Sequence, residues 1–240
     1  MKKALLYSGG MDSWLIDKLW KPDVKIYVNL GTEYSNEEIK RLPVDVQIIN
    51  FPFLNQFSLK NSIIPLRNLY LYAIAANATF FENVEICLGA LDGDRINDKT
   101  QKFADLLNDV MQYLYEDQQS QPGRKIKISM PYKNKSKREL CEMYVKNGGC
   151  LKDVFYSSFT CYHPVNGAEC LSCKACFRKA IPFIVAGMEF TPEQKAKYIE
   201  FYESNVVRNM DDYVKNKGKE GIDCLKAIEI IKGWKNDNCS

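Results

Sequence analysis

Through the first ninety residues, short apolar runs alternate with stretches whose apolar positions recur every three or four residues, the pattern of strands interleaved with helices. Runs at 4–7, 25–30, 46–51 and 84–88 predict short buried strands. A helical run follows the first of them from Trp14. Ser35-Asn36-Glu37-Glu38 has the form of a capping box and predicts a short helix ending before Pro43. Across residues 65–80, Leu66, Leu69, Tyr70, Ala73, Ile74 and Asn77 keep helical spacing behind a proline in the first turn. The resulting β-α-β-α-β-α-β order requires parallel strands joined by right-handed crossovers. It predicts a doubly wound α/β sheet that binds ligands at the carboxyl ends of its strands.

Beyond residue 95 the strand signal thins. Residues 98–115 read as a helix, 126–130 as one more strand and 136–146 as another helix, with three further helices closing the chain. One of these opens on a second capping box, Thr191-Pro192-Glu193-Gln194, and the last covers 222–235. The polar stretch 117–123 reads as a surface loop. The expected division is an α/β domain over 1–130 and a mostly helical region over 131–240.

Composition leaves this picture intact: 240 residues, 46% hydrophobic and 26% charged, are ordinary for a globular protein and exclude disordered and fibrous classes. The longest apolar stretch, residues 180–188 with Pro182 and Gly187 included, is far short of a bilayer span. No membrane partner is expected, and the amino terminus is too short in apolar residues for a signal-peptide core. The expected location is therefore cytoplasmic, where nine cysteines point to metal binding or catalysis rather than disulfides.

Charge adds one local feature. Residues 118–138 carry seven basic side chains (Arg124, Lys125, Lys127, Lys133, Lys135, Lys137 and Arg138) and no acidic one. Of the 33 basic residues, 26 are left for the rest of the chain, against 30 acidic. Such a segment is either a solvated loop and helix face or one that meets phosphate.

Ser8-Gly9-Gly10-Met11-Asp12-Ser13 sits directly between the first strand and the first helix. Two glycines permit a tight turn whose amides converge, and the helix start adds free donors and a positive dipole end. Ser8 and Ser13 add hydroxyls. Asp12 beside an anion site implies an intervening cation, Mg²⁺. The loop has neither the lysine of G-x-x-x-x-G-K-[ST] nor the spacing of G-x-G-x-x-G. Its other reading is an ordinary glycine turn capped by Asp12 or Ser13.

Cys161, Cys170, Cys173 and Cys176 form a C-x8-C-x2-C-x2-C array. Two-residue gaps let thiolates converge on one ion, and four of them complete the closed shell of structural zinc. An iron-sulfur cluster is the rival. His163, the chain's one histidine, reads as a bystander, and Cys87, Cys141, Cys150, Cys224 and Cys239 as core or surface thiols.

The glycine loop resembles the SGGxDS pyrophosphate loop of the ATP pyrophosphatase superfamily, which implies an adenine nucleotide alpha hydrolase-like fold. Together with the cysteine cluster it resembles the 7-cyano-7-deazaguanine synthase family. Ile64-Pro65-Leu66-Arg67-Asn68 is similar to that family's V-P-x-R-N. Leu88-Gly89-Ala90 with Asp92 and Asp94 is similar to its strand-end glycine and acidic residue. Pro131 with Ser136-Lys137-Arg138-Glu139-Leu140 is similar to P-x(n)-[ST]-K-x-E-[ILV], and Ser158-Phe159-Thr160-Cys161-Tyr162 to T-W-S-C-Y. Departures mark a divergent, phage-type member, for which the compartment would be the host cytoplasm. Leu30-Gly31-Thr32-Glu33-Tyr34 replaces Y-G-Q-x-H, Asn97-Asp98-Lys99-Thr100 replaces P-D-C-R, and Leu171 and Lys179 replace a glycine and an arginine. More than sixty residues follow the cluster.

The resemblance implies a carbon-nitrogen ligase that adenylates 7-carboxy-7-deazaguanine with ATP, lets ammonia displace AMP, and dehydrates the amide to the nitrile with a second ATP. The product would serve 7-deazaguanine modification of tRNA, as in queuosine biosynthesis, or of DNA. Ser8, Gly9, Gly10, Met11, Asp12 and Ser13 would hold the pyrophosphate with Mg²⁺, and Lys137 is a second phosphate ligand in this reading. Asp12, Ser13 and Arg67 are the catalytic candidates; Arg67, Asn68 and Asp98 are the substrate candidates. A homodimer is compatible with this picture, and no direct nucleic-acid partner is expected. The alternatives are an enzyme that stops at the amide, a tRNA thiolation enzyme whose basic segment meets RNA, and a zinc module that binds nucleic acid.

Overall fold

Five parallel strands carry the amino-terminal part of the chain: β1 (Lys2–Leu6), β2 (Val24–Asn29), β3 (Val46–Asn50), β4 (Val84–Leu88) and β5 (Ile126–Ser129), ordered β3-β2-β1-β4-β5. The computed structural model describes residues 1–59, 63–80, 83–119 and 122–237, so Cys239 and part of the 117–123 loop lie outside the described residues. These residues form two units. The first comprises Met1–Ala90 and Ile96–Lys133; the second comprises Leu91–Arg95 and the chain from Asn134 onward.

In the first unit β1 is central, pairing Ala4 with Val24 on one side and with Ile86 on the other. Ala4, Leu5 and Leu6 are all buried, as a strand covered on both faces requires. Helices α1 (Met11–Trp20), α2 (Ser35–Ile39), α3 (Arg67–Ala78) and α4 (Gln101–Leu114) make the crossovers. Short 3₁₀ turns at Pro52–Phe57 and Asn97–Lys99 precede α3 and α4. Each crossover leaves the carboxyl end of a strand, so the helix amino termini gather along that edge. The chain builds β2 and β3 on one side of β1 and then β4 and β5 on the other, which places the topological switch point between β1 and β4.

Two local expectations are corrected. The capping box at Ser35 does not form. The Ser35 hydroxyl instead accepts from the Thr32 amide at 2.9 Å and pairs with its hydroxyl at 2.8 Å, while Glu38 accepts from the Tyr27 hydroxyl at 2.7 Å. Both partners of the box are thus taken by contacts that no four-residue motif reveals. Nor does Pro65 sit in the first turn of α3. Leu66 takes a φ of +57°, which no helical residue adopts, and the helix begins one residue later at Arg67.

The second unit is helical: α5 (Lys137–Lys146), α6 (Leu151–Ser157), α7 (Lys174–Val185), α8 (Pro192–Phe201), α9 (Met210–Val214) and α10 (Gly218–Asp237). A π-helical turn, Tyr202–Val206, follows α8. Five helices thus follow α5 where three were expected, because α6 and α9 span only 7 and 5 residues, too few to display a period. The Thr191 capping box forms with Gln194, and Ser136 makes a second one with Glu139. Helix α10 packs on α5, α7, α8 and α9. No helix among the described residues is long and apolar enough to cross a membrane.

Candidate active site and metal centre

Between the end of β1 at Leu6 and the start of α1 at Met11 the chain must turn within four residues. Gly9 does so with φ +74°, a conformation costly for any residue with a Cβ. Ser13, 4% exposed, braces the turn: its hydroxyl donates to the Gly10 carbonyl at 3.0 Å and accepts from the Ser8 amide at 3.2 Å. The Ser8 and Ser13 hydroxyls lie 3.3 Å apart. Gly10 is the N-cap and no side chain caps α1, so neither Asp12 nor Ser13 plays the capping role of an ordinary turn. The helix start therefore keeps its amides for an anion. Gly89, just past β4, completes the floor: a Cβ there would stand 3.7 Å from Asp12 Cβ and 3.8 Å from the Ser13 nitrogen. The loop and the end of β4 thus meet at the switch point.

Arg67 and Asn68 open α3, which lies over β1, β2 and β4 and packs against the Asn97–Lys99 turn that holds Asp98. Asn68 is 1% exposed, yet its side-chain NH₂ has no hydrogen-bond partner among the described residues, and neither has the buried Oδ1 of Asp98. Each such atom costs about 1–3 kcal/mol unless a ligand satisfies it. A buried amide donor and a buried carboxylate acceptor on adjoining elements match the edge of a polar heterocycle.

Glu38 was missed as a site residue because its motif suggested a cap. Burial pushes its carboxyl up to about 7, against the Tyr27 hydrogen bond and the Arg67 charge, which both pull it down. Nothing in the local sequence signals this, since it arises from packing between α2, β2 and α3.

Lys137 belongs to the second unit, as the first residue of α5, with its amine 4.0 Å from Glu220. The rest of the basic segment is largely engaged. Arg124 hydrogen-bonds the Ala76 and Thr79 carbonyls and stacks 4.4 Å from the Tyr115 ring centre, Lys127 pairs with Glu85 at 2.9 Å, and Arg138 pairs with Asp223 at 2.8 Å.

The four cysteines converge. Their sulfurs all lie within 4.8 Å of one another, Cys170 and Cys176 at 4.0 Å. Tetrahedral zinc with ~2.3 Å bonds needs sulfurs ~3.8 Å apart, so the donor set fits. Backbone amides of His163 and Cys170 point at the Cys161 sulfur, both at 3.3 Å, and that of Cys176 points at Cys173 at 3.5 Å. Such donors stabilise thiolates. The Cys176 side chain and amide hold the Cys173 thiol down at about 4, while Cys176 is pushed up in turn. His163 contributes only its amide to this arrangement. Cys87, Cys141 and Cys224 are buried and Cys150 is exposed.

Lys179, where an arginine was expected, is 2% exposed and donates to Glu169 and to the Ser158 carbonyl, both at 2.7 Å. Glu169 also accepts from the Thr160 amide at 2.6 Å. This pair ties the segments on either side of Cys161 and Cys170 to α7.

The family model of the queuosine biosynthesis protein QueC matches residues 44–187, more than half of the chain. The glycine loop lies ahead of that stretch. A 7-cyano-7-deazaguanine synthase of Pseudoalteromonas translucida is 26% identical over 220 residues, covering 77% of this chain and 94% of the relative. A second, from Colwellia psychrerythraea, is 26% identical over 212 residues, 73% of this chain and 90% of its own. One from Leptospira biflexa is 25% identical over 138 residues, covering 56% and 54%.

Proposed function

Because this chain belongs to the QueC family of queuosine biosynthesis proteins, we propose that it is a 7-cyano-7-deazaguanine synthase, an ATP-dependent ligase working through adenylated intermediates. The observation that carries this reading is the uncapped, serine-braced glycine loop at the switch point between β1 and β4. A loop of that build favours a departing pyrophosphate, which is what adenylation must stabilise.

In the first step the carboxylate of 7-carboxy-7-deazaguanine attacks the α-phosphorus of ATP and pyrophosphate leaves. Ammonia then attacks the acyl carbon, AMP departs, and a proton is lost to give the amide. In the second activation the amide oxygen attacks another ATP, and loss of AMP and a proton leaves the nitrile. The Met11, Asp12 and Ser13 amides and the Ser8 hydroxyl would receive the pyrophosphate, and Asp12 would hold Mg²⁺, which neutralises charge that no loop lysine does. Arg67 would take the substrate carboxylate or a phosphate oxygen, and Lys137 is a further phosphate ligand. Asn68 and Asp98 would supply their unmatched donor and acceptor to the deazaguanine ring. The four thiolates would hold zinc in a closed shell with no open position, so its part is structural. The enzyme would work in the cytoplasm, and its product would serve 7-deazaguanine modification of tRNA or DNA.

The test is incubation of the purified chain with 7-carboxy-7-deazaguanine, ammonia and Mg-ATP, reading product mass and nucleotides together. Nitrile with two AMP and two pyrophosphate per turnover is expected. Amide with one AMP assigns the chain to the amide-forming alternative, and ADP with inorganic phosphate as the only products would sink the adenylation reading.

A further inference from the structure

Within the second unit, α5, α7, α9 and α10 enclose a cleft of about 380 Å³ counted to its open mouth. Its walls carry Lys137, Arg138, Arg178 and Lys217 against two acids, Glu220 and Asp223. The charges are unevenly matched. Asp223, 3% exposed, is committed to Arg138 at 2.8 Å and to the Ser136 hydroxyl at 3.2 Å, and Arg138 is further paired with Glu142. That leaves Glu220 to serve the other three cations. It pairs with Arg178 at 2.9 Å and reaches Lys137 only at 4.0 Å. The Lys217 amine has no ion pair among the described residues, and burial and the charge of Arg178 both weigh against its protonation. One half-enclosed carboxylate facing three cations is an arrangement short of negative charge, with the deficit aimed into a cleft floored by Pro182 and Tyr213.

We propose that this cleft binds a small phosphate anion, inorganic phosphate or pyrophosphate, between Lys137, Arg178 and Lys217. A dianion would supply the missing charge, and arginine offers the paired donors that phosphate oxygens accept. Half of the site is this chain's own: Tyr213, Lys217, Glu220 and Asp223 all lie beyond residue 187, where the family match ends. The C-terminal helices thus place an anion site on the basic start of α5. The inference does not depend on the adenylation reading.

The test is amine acetylation of the full zinc-loaded chain, read by peptide mass spectrometry, with pyrophosphate or phosphate against chloride at matched ionic strength. Acetylation of Lys217 and Lys137 should slow several-fold with either anion, while the exposed Lys197 and Lys232 keep their rates. The protection should persist in Asp12→Ala, which disables the glycine loop. Lys217→Gln should weaken pyrophosphate binding several-fold, and Glu220→Gln, by removing the competing carboxylate, should tighten it about tenfold. The proposal is overturned if Lys217 is not protected, if all lysines slow alike, or if protection vanishes in Asp12→Ala, which would assign the anion to the loop. Weaker pyrophosphate binding in Glu220→Gln would overturn it as well.

Discussion

In the first unit the core is aliphatic and layered: Leu6, Ile26, Val28, Ile86 and Leu88 lie on strands beneath Ala75, Ala76, Leu107 and Met111. In the second the large contacts are rings. Phe155 meets Phe183 at 5.1 Å and Phe190 at 5.5 Å, Phe190 meets Tyr198 and Trp234, and Phe177 meets Phe201 and Tyr213. Beside these rings sit four thiols and a buried ion pair. The sheet spreads its cohesion over four ladders and many small contacts, so deleting one side chain has a local cost. The helical unit concentrates part of its cohesion at the cysteine cluster and at Lys179, so it should fail from those points.

The sharpest way to break this contrast is to remove the metal. Cys173→Ser, or prolonged chelation, should lower zinc from about one per chain and strip hydrogen-exchange protection from α7, with β1 and β4 keeping theirs. Apparent binding of structural zinc is worth ~10 kcal/mol or more, comparable with the stability of a domain. Iron with acid-labile sulfide in the purified chain would defeat the zinc assignment, and full protection of α7 in metal-free protein would defeat the contrast.

The loop tests the opposite property, function without stability. Asp12→Ala should lower nitrile formation by ~10³-fold or more, about 4 kcal/mol of transition-state stabilisation, while unfolding changes by less than about 1 kcal/mol. Equal loss of activity and stability would return Asp12 to a structural role.

The same contrast governs what the sequence discloses. The four strands read from the first ninety residues, and a fifth near 126, appear within two residues of their expected ends, because a doubly covered strand must be a continuous apolar run. Ser8 to Ser13 and the four cysteines are legible for a related reason: each is a local spacing whose chemistry needs only its own segment. Asn68 and Asp98 are named by resemblance, but their unmatched atoms become visible only when α3 meets the turn before α4. Glu38 and Lys217 carry no motif at all. Their environments are made by elements distant in sequence, and α6 and α9 escape notice because one or two turns show no period.

The buried pair of the second unit should cost more to break than an exposed one. Glu169→Ala leaves the Lys179 ammonium, 2% exposed, with only the Ser158 carbonyl for a partner. The expected loss is about 3–5 kcal/mol by urea unfolding, with zinc released more readily because Thr160 also loses its acceptor. A loss below about 1 kcal/mol would mean that water reaches the amine.

The smallest effect sharpens the comparison from the first unit. Glu169 has a lysine at 2.7 Å, whereas Glu38 has no ion pair among the described residues and its carboxyl is pushed up to about 7 by burial. The sign follows from the protonation states. Below about pH 4.5 the group is protonated folded or unfolded and imposes no penalty. Between about 4.5 and 7 the unfolded carboxyl ionises while the folded one keeps its proton, so stability falls by about 1.4 kcal/mol per pH unit, ~3 kcal/mol in all, and levels off above 7. Glu38→Gln keeps an acceptor for the Tyr27 hydroxyl and cannot ionise. Relative to the parent it should gain ~3 kcal/mol between pH 4.5 and pH 8 in urea unfolding. A difference that does not change with pH would show that Glu38 ionises in the folded chain as it does in the unfolded one, and that Arg67 compensates its burial.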